Sequence, residues 1–152
     1  MRTSITLLFC AISLSSFSQR PVATLNQSRL MKVWVMEDGN FPHDVIKFRS
    51  YDPQKDSIDF YTSYEFNTGG VINYNFHVPR GKGVCGNGLQ YLSVTKWTAK
   101  GNTVRVYLKG GYFVAGTFEY DIVYRIEKIS DNQLILKRKK TYKNKMCYTC
   151  FN

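Results

Sequence analysis

The side chains with chemistry to offer are few: cysteines late in the chain, two histidines, a glycine-rich loop and a run of lysines. Cys147-Tyr148-Thr149-Cys150 has the C-x-x-C spacing of redox and zinc sites. A thioredoxin-type site needs that pair at the start of a helix after a strand, and a zinc site needs a second ligand pair. Here the pair lies in a C-terminal tail, and His43 and His77 are the whole histidine complement. His43-Asp44 are neighbours in sequence, which does not by itself aim a carboxylate at an imidazole. The loop Gly81-Lys82-Gly83-Val84-Cys85-Gly86-Asn87-Gly88 lacks the Gly-Lys-Ser/Thr ending and following helix of a phosphate cradle, so it reads as turn chemistry. No Gly-x-Ser-x-Gly nucleophile motif is present. The expectation is a non-enzyme with no catalytic residue, no metal and no cofactor.

Charge is the next signal. Twenty-one Lys and Arg oppose 11 Asp and Glu, a net charge of +10. The densest part is Lys137, Arg138, Lys139, Lys140, Lys143 and Lys145. Such a run reads first as a solvated edge and second as a rim that touches anions.

The N-terminus has the parts of an export signal: Arg2, the apolar stretch Ile5–Leu14, and Ser16-Phe17-Ser18 before a cleavage point at Ser18-Gln19. The apolar run is shorter than the ~20 residues that cross a bilayer. Residues 1–18 are therefore expected to be a signal peptide and the rest a secreted or periplasmic protein, not an integral membrane one. In that setting nucleic acid is not the expected partner, and an anionic surface or envelope component is. An oxidising compartment also makes disulfides available. Of Cys85, Cys147 and Cys150, the expectation is that Cys85 pairs with Cys150 or Cys147. That bridge would tie the tail to the barrel, because it closes a long loop and so restricts the unfolded chain more than a Cys147–Cys150 ring would.

These residues must be held by strands. Residues 19–30 are polar and expected to be flexible, and residues 31–152 form one domain. From Lys32 onward apolar and polar residues alternate. The alternation predicts strands near Lys32–Met36, Val45–Tyr51, Ser57–Phe66, Val71–Val78, Gln90–Thr98, Thr103–Lys109, Tyr112–Ile129 and Gln133–Thr141. Phe118, Tyr120, Ile122 and Tyr124 share one face of the long seventh strand, with Glu119, Asp121 and Arg125 on the other. Eight strands with short turns predict an all-β, up-and-down antiparallel barrel, with a β-sandwich as the alternative.

The pattern resembles the lipocalin-like proteins, in particular short secreted bacterial ones. It rests on Leu30-Met31-Lys32-Val33-Trp34, Cys85, Trp97, Thr103–Leu108, Tyr124-Arg125-Ile126 and Leu134–Arg138, and spans nearly the whole chain after the signal. The resemblance implies a structural pair in which Arg138 packs on Trp34 at the closed end, although Lys32 stands where the family has glycine. It also implies a small apolar or amphipathic ligand in the barrel interior, lined by Phe60, Tyr64, Tyr74, Phe76, Tyr120 and Tyr124. The alternative is an envelope or surface interaction or inhibitor protein. There a filled barrel is only the scaffold, and loops such as Met36–Asp44 and Pro79–Leu89 make the contacts.

Overall fold

A computed structural model describes residues 27–83, 90–112 and 116–147. Eight strands form one antiparallel sheet that curls into a nearly closed barrel. They are β1 (Val33–Asp38), β2 (Val45–Ser50), β3 (Tyr61–Phe66), β4 (Ile72–His77), β5 (Gln90–Lys100), β6 (Thr103–Tyr112), β7 (Gly116–Ile129) and β8 (Gln133–Cys147). A 3-10 turn at Gln27–Arg29 precedes β1, and one helical turn, α1 (Pro53–Asp56), lies between β2 and β3. The core holds Phe48, Tyr64, Phe66, Val104, Val106, Leu108, Phe118, Tyr120, Ile122, Tyr124, Leu134 and Leu136, all at most 2% exposed.

The strand order is β4-β3-β1-β2-β8-β7-β6-β5. From β3 to β8 this is the expected meander. The first hairpin departs from it, because β1 sits beside β3 and β2 beside β8. Strands β2 and β3 both run antiparallel to β1, so their connection must cross β1. It crosses on the outer face. Val35 pairs with Arg49 and Ser63, facing away from the core, yet Val35 is 1% exposed and Ser63 5%. Residues 51–60 cover them. Asp52 caps α1 by accepting from the Gln54 amide at 3.0 Å, and Pro53 takes the first helical position. The turn delivers Asp56, fully buried, onto the Arg49 guanidinium. The third strand consequently starts at Tyr61, not near Ser57, and Ile58 (69% exposed) and Phe60 (46%) belong to the crossover.

One end is closed by tryptophans. Trp34 donates to the Leu30 carbonyl at 3.0 Å, and Trp97 donates to the carbonyls of Asn67 and Val71 at 3.1 and 3.2 Å. The two ends of the sheet meet here, where the Trp97 amide donates to the Gly70 carbonyl at 2.7 Å and the Ile72 amide to Thr95 Oγ1 at 3.1 Å. At Gly110 and Gly111 on β6 an added Cβ would run into the Tyr91 carbonyl and ring, so the missing side chains let β5 and β6 approach.

The opposite end is filled by the β1–β2 loop. Phe41, 2% exposed, lies edge-on to Tyr64 (5.2 Å between centroids) and Tyr124 (5.5 Å), with Phe48 at 6.4 Å. Asn40 Oδ1 accepts from the Tyr64 hydroxyl at 3.0 Å and from the Phe41 amide at 2.8 Å, and the Tyr124 hydroxyl donates to the His43 carbonyl at 3.3 Å. A segment expected to make outward contacts is therefore partly core.

Candidate anion-binding face

The outer face of β5–β8 gathers about half of the described positive charge. Strand pairing places Lys96 and Lys100 of β5, Arg105 and Lys109 of β6, Arg125 of β7 and Lys137, Lys140, Lys143 and Lys145 of β8 on that face. The carboxylates are Glu119 and Asp121 in mid-sheet and Glu127 at its end, held by the Arg125 Nε at 2.7 Å. Asp121 takes Arg105 through two bonds, from Nε at 2.8 Å and Nη2 at 2.7 Å. Glu119 Oε1 accepts from Lys143 at 2.6 Å and from the Tyr107 hydroxyl at 2.8 Å. These bonds hold the Glu119 carboxyl below its ordinary range, Lys143 foremost, and raise Lys143, Arg105 and Tyr107 above theirs. No described carboxylate lies within 4 Å of Lys96, Lys109, Lys137, Lys139, Lys140 or Lys145.

Two β-bulges build this face. Strict alternation outward from Lys137 would turn Lys140 and Tyr142 into the barrel. Instead Asp121 opposes Lys143 while Ile122 opposes Thr141, and Val123 opposes Lys140 while Tyr124 opposes Arg138. The extra residues are Tyr142 and Lys139, so each bulge re-phases the strand. Tyr142, 54% exposed, is left outside with the Arg105 guanidinium 4.6 Å and the Lys140 ammonium 4.4 Å from its ring centroid. Beside it, Lys96, Arg105, Tyr107 and Asp121 help line a depression of about 490 Å³.

The interior set is placed differently. Tyr64, Tyr120 and Tyr124 are fully buried, and burial lifts the hydroxyl pKa of Tyr64 and Tyr124 well above the ordinary value. Tyr74 meets Tyr64 at 5.4 Å, and Phe76 meets the exposed Phe60 at 6.4 Å. Gln90, inward on β5 and 7% exposed, leaves Nε2 without a hydrogen-bond partner among the described residues.

The Trp34–Arg138 stack is not formed. Lys32 Nζ lies 4.3 Å from the Trp34 ring centroid, the cation coming from the very position where the resemblance expects glycine. Arg138 pairs with Asp44 and donates to the Pro42 carbonyl at 3.1 Å. The reason is register. Trp34 is level with Ser50 and Arg138 with Asp44, six residues apart along β2, or roughly 20 Å. Cys147 is exposed and free at the end of β8, while Cys85, Cys150 and the expected signal at residues 1–18 lie outside the described residues. Among the described residues no group of three or more His, Cys, Asp or Glu is placed to hold a metal, and no helix is long and apolar enough to cross a membrane.

Fold and site together define an antiparallel eight-stranded barrel with one cationic outer face. Protein-family models, curated proteins and solved structures give no match to this chain.

Proposed function

We propose that this protein is an exported interaction module: the filled barrel is a rigid scaffold, and the outer face of β5–β8 binds an anionic partner outside the cytosol. The observation that carries the reading is the lysine-rich outer face, on which the bulge at Lys139 turns Lys140 and Tyr142 outside and the bulge at Tyr142 keeps Lys143 there. Cations that outnumber the carboxylates among them repel one another and draw counterions, so a polyanion that displaces those ions gains free energy. Binding to an immobilised sulfated polymer tests this. Raising salt from about 0.05 M to about 0.5 M shortens the Debye length from roughly 14 Å to roughly 4 Å, and affinity is expected to fall ~10-fold or more. Replacing Lys137 and Lys145 by Glu is expected to weaken binding and flatten that salt dependence. Binding that ignores both salt and these substitutions removes the face as the handle.

A second reading keeps a small amphipathic ligand, now at the barrel mouth rather than along the interior. The unpartnered Gln90 Nε2 supports it, since a buried amide without a partner costs roughly 1–3 kcal/mol that a ligand acceptor would recover. Native mass spectrometry of protein from its own host is expected to show an adduct that Gln90→Leu loses. A clean apo mass in both proteins removes this reading.

A further inference from the structure

We propose that Tyr142, Arg105 and Lys140, with the adjoining depression, form a subsite for one anionic sugar residue of an acidic polysaccharide. The inference rests on the anion-binding reading of the same face and names the class of partner.

The donor inventory comes first. Asp121 uses the Arg105 Nε–H and one Nη2–H, which leaves three guanidinium N–H groups. Lys140 has no carboxylate within 4 Å and keeps three N–H donors. Both cationic heads hold to one tyrosine ring at 4.6 and 4.4 Å, so they stand at most about 9 Å apart. Two like charges at that range are stabilised by an oxyanion that accepts from both, and a sulfate or uronate group offers three or two oxygens for the purpose. Asp121 fixes Arg105 in direction, so one side of the site is preorganised.

The aromatic ring selects what carries the anion. Tyr142 is the exposed aromatic beside Arg105 and Lys140; Tyr91, 41% exposed on the same face, lies level with Gly111 and Thr117 near its far end, and the Tyr107 hydroxyl is tied to Glu119. One ring beside a depression of about 490 Å³ suits a single sugar ring, with its C–H face on the aromatic and its acidic group toward the cations. Single-stranded nucleic acid is instead held by successive stacking rings. A membrane surface calls for several apolar side chains that insert among headgroups, and beside Tyr142 this face exposes only Tyr91, at 41%, and Val94, at 37%, among the described residues of outward phase. The bulge at Lys139 is the second, independent sign: without it strict alternation from Lys137 would point the Tyr142 ring into the barrel.

The test compares two polyanions of matched charge on the full secreted chain, dextran sulfate and inorganic polyphosphate, with anionic phosphatidylglycerol vesicles and oligothymidylate as further probes. Tyr142→Leu removes the ring and no charge. It is expected to weaken dextran sulfate binding ~10-fold and polyphosphate binding less than about twofold, with the salt dependence unchanged, and Tyr142→Trp is expected to restore sugar binding. Equal loss on both polymers, loss on neither, or a Tyr142-dependent preference for vesicles or oligothymidylate overturns the subsite. If the unaltered protein binds both polymers and Tyr142 is indifferent, only the subsite falls. If it binds neither in a salt-dependent way, the anion-binding reading falls with it.

Discussion

Replacing Phe41 by alanine is expected to cost about 3–5 kcal/mol of folding stability, the upper range for emptying an aromatic site in a packed core. The ring is 2% exposed and touches Tyr64, Tyr124 and Phe48, and so fills the space those side chains surround. Native domains carry only about 5–15 kcal/mol in total, so the loss is a large share, and the melting temperature should fall by roughly 10–20 °C. A second consequence separates a plug from an ordinary core residue. The vacated space is lined by aromatic rings and is apolar, so it should accept a neutral aromatic molecule such as benzene, which would raise the melting temperature of the variant and not of the parent. Phe41→Leu keeps most of the volume and should lose less than half as much stability. A Phe41→Ala protein within about 1 kcal/mol of the parent in denaturant titration would show that the loop does not close the barrel.

That residue also shows where sequence reading stopped. The barrel strands were legible because a buried face forces period-two alternation, and β6 and β7 keep it over the stretches where Val104, Val106, Leu108 and Phe118, Tyr120, Ile122, Tyr124 are all inside. Phe41 carries no period. One phenylalanine between Asn40 and Pro42 looks like a loop residue, and only its three-dimensional neighbours make it core. Strand order was equally hidden, since the ten residues between β2 and β3 are long enough to cross β1 and the alternation is the same whichever strands are neighbours. Even so, Val35 offered a hint, as an apolar residue on the outward phase of β1 needs cover. The candidate site was half visible. The lysine run was plain in composition, but Lys140 and Tyr142 reach the outer face only through bulges, and a bulge shifts the phase by one residue without leaving a signature in residue type. The Trp34–Arg138 expectation failed for a related reason: both residues face the sheet's inner side, and facing says nothing about height along the barrel.

Asp56→Ala is expected to cost about 3 kcal/mol, at the low end for breaking a buried ion pair. The Asp56 carboxylate is fully buried. It accepts from Arg49 Nη1 at 2.8 Å, pairs with Nη2 through its other oxygen, and accepts from the Asp52 amide at 2.7 Å. It ties the crossover to Arg49 of β2, whose partner on β1 is Val35. Its loss leaves the Arg49 guanidinium, 20% exposed, with the Ser50 carbonyl at 3.1 Å and Glu37 at 3.9 Å, and frees an amide at the start of α1. The partial exposure of Arg49 lets water replace some of the pairing, which keeps the cost from rising further. The pH dependence gives the sharper test. The Arg49 bonds hold the Asp56 carboxyl below the ordinary value near 3.9, with burial opposing them. A depressed folded pKa means that the unfolded chain takes up the proton first. The stabilisation is therefore complete above about pH 4 and is lost as pH falls through the folded pKa. Glu119 and Asp38 are lowered too and add their own acid sensitivity, so the informative quantity is the difference between parent and Asp56→Asn, in which their contributions cancel. That difference should be level from about pH 7 to pH 4 and shrink below it. A difference that stays constant down to about pH 2 would mean that the Asp56 charge does not hold the crossover in place.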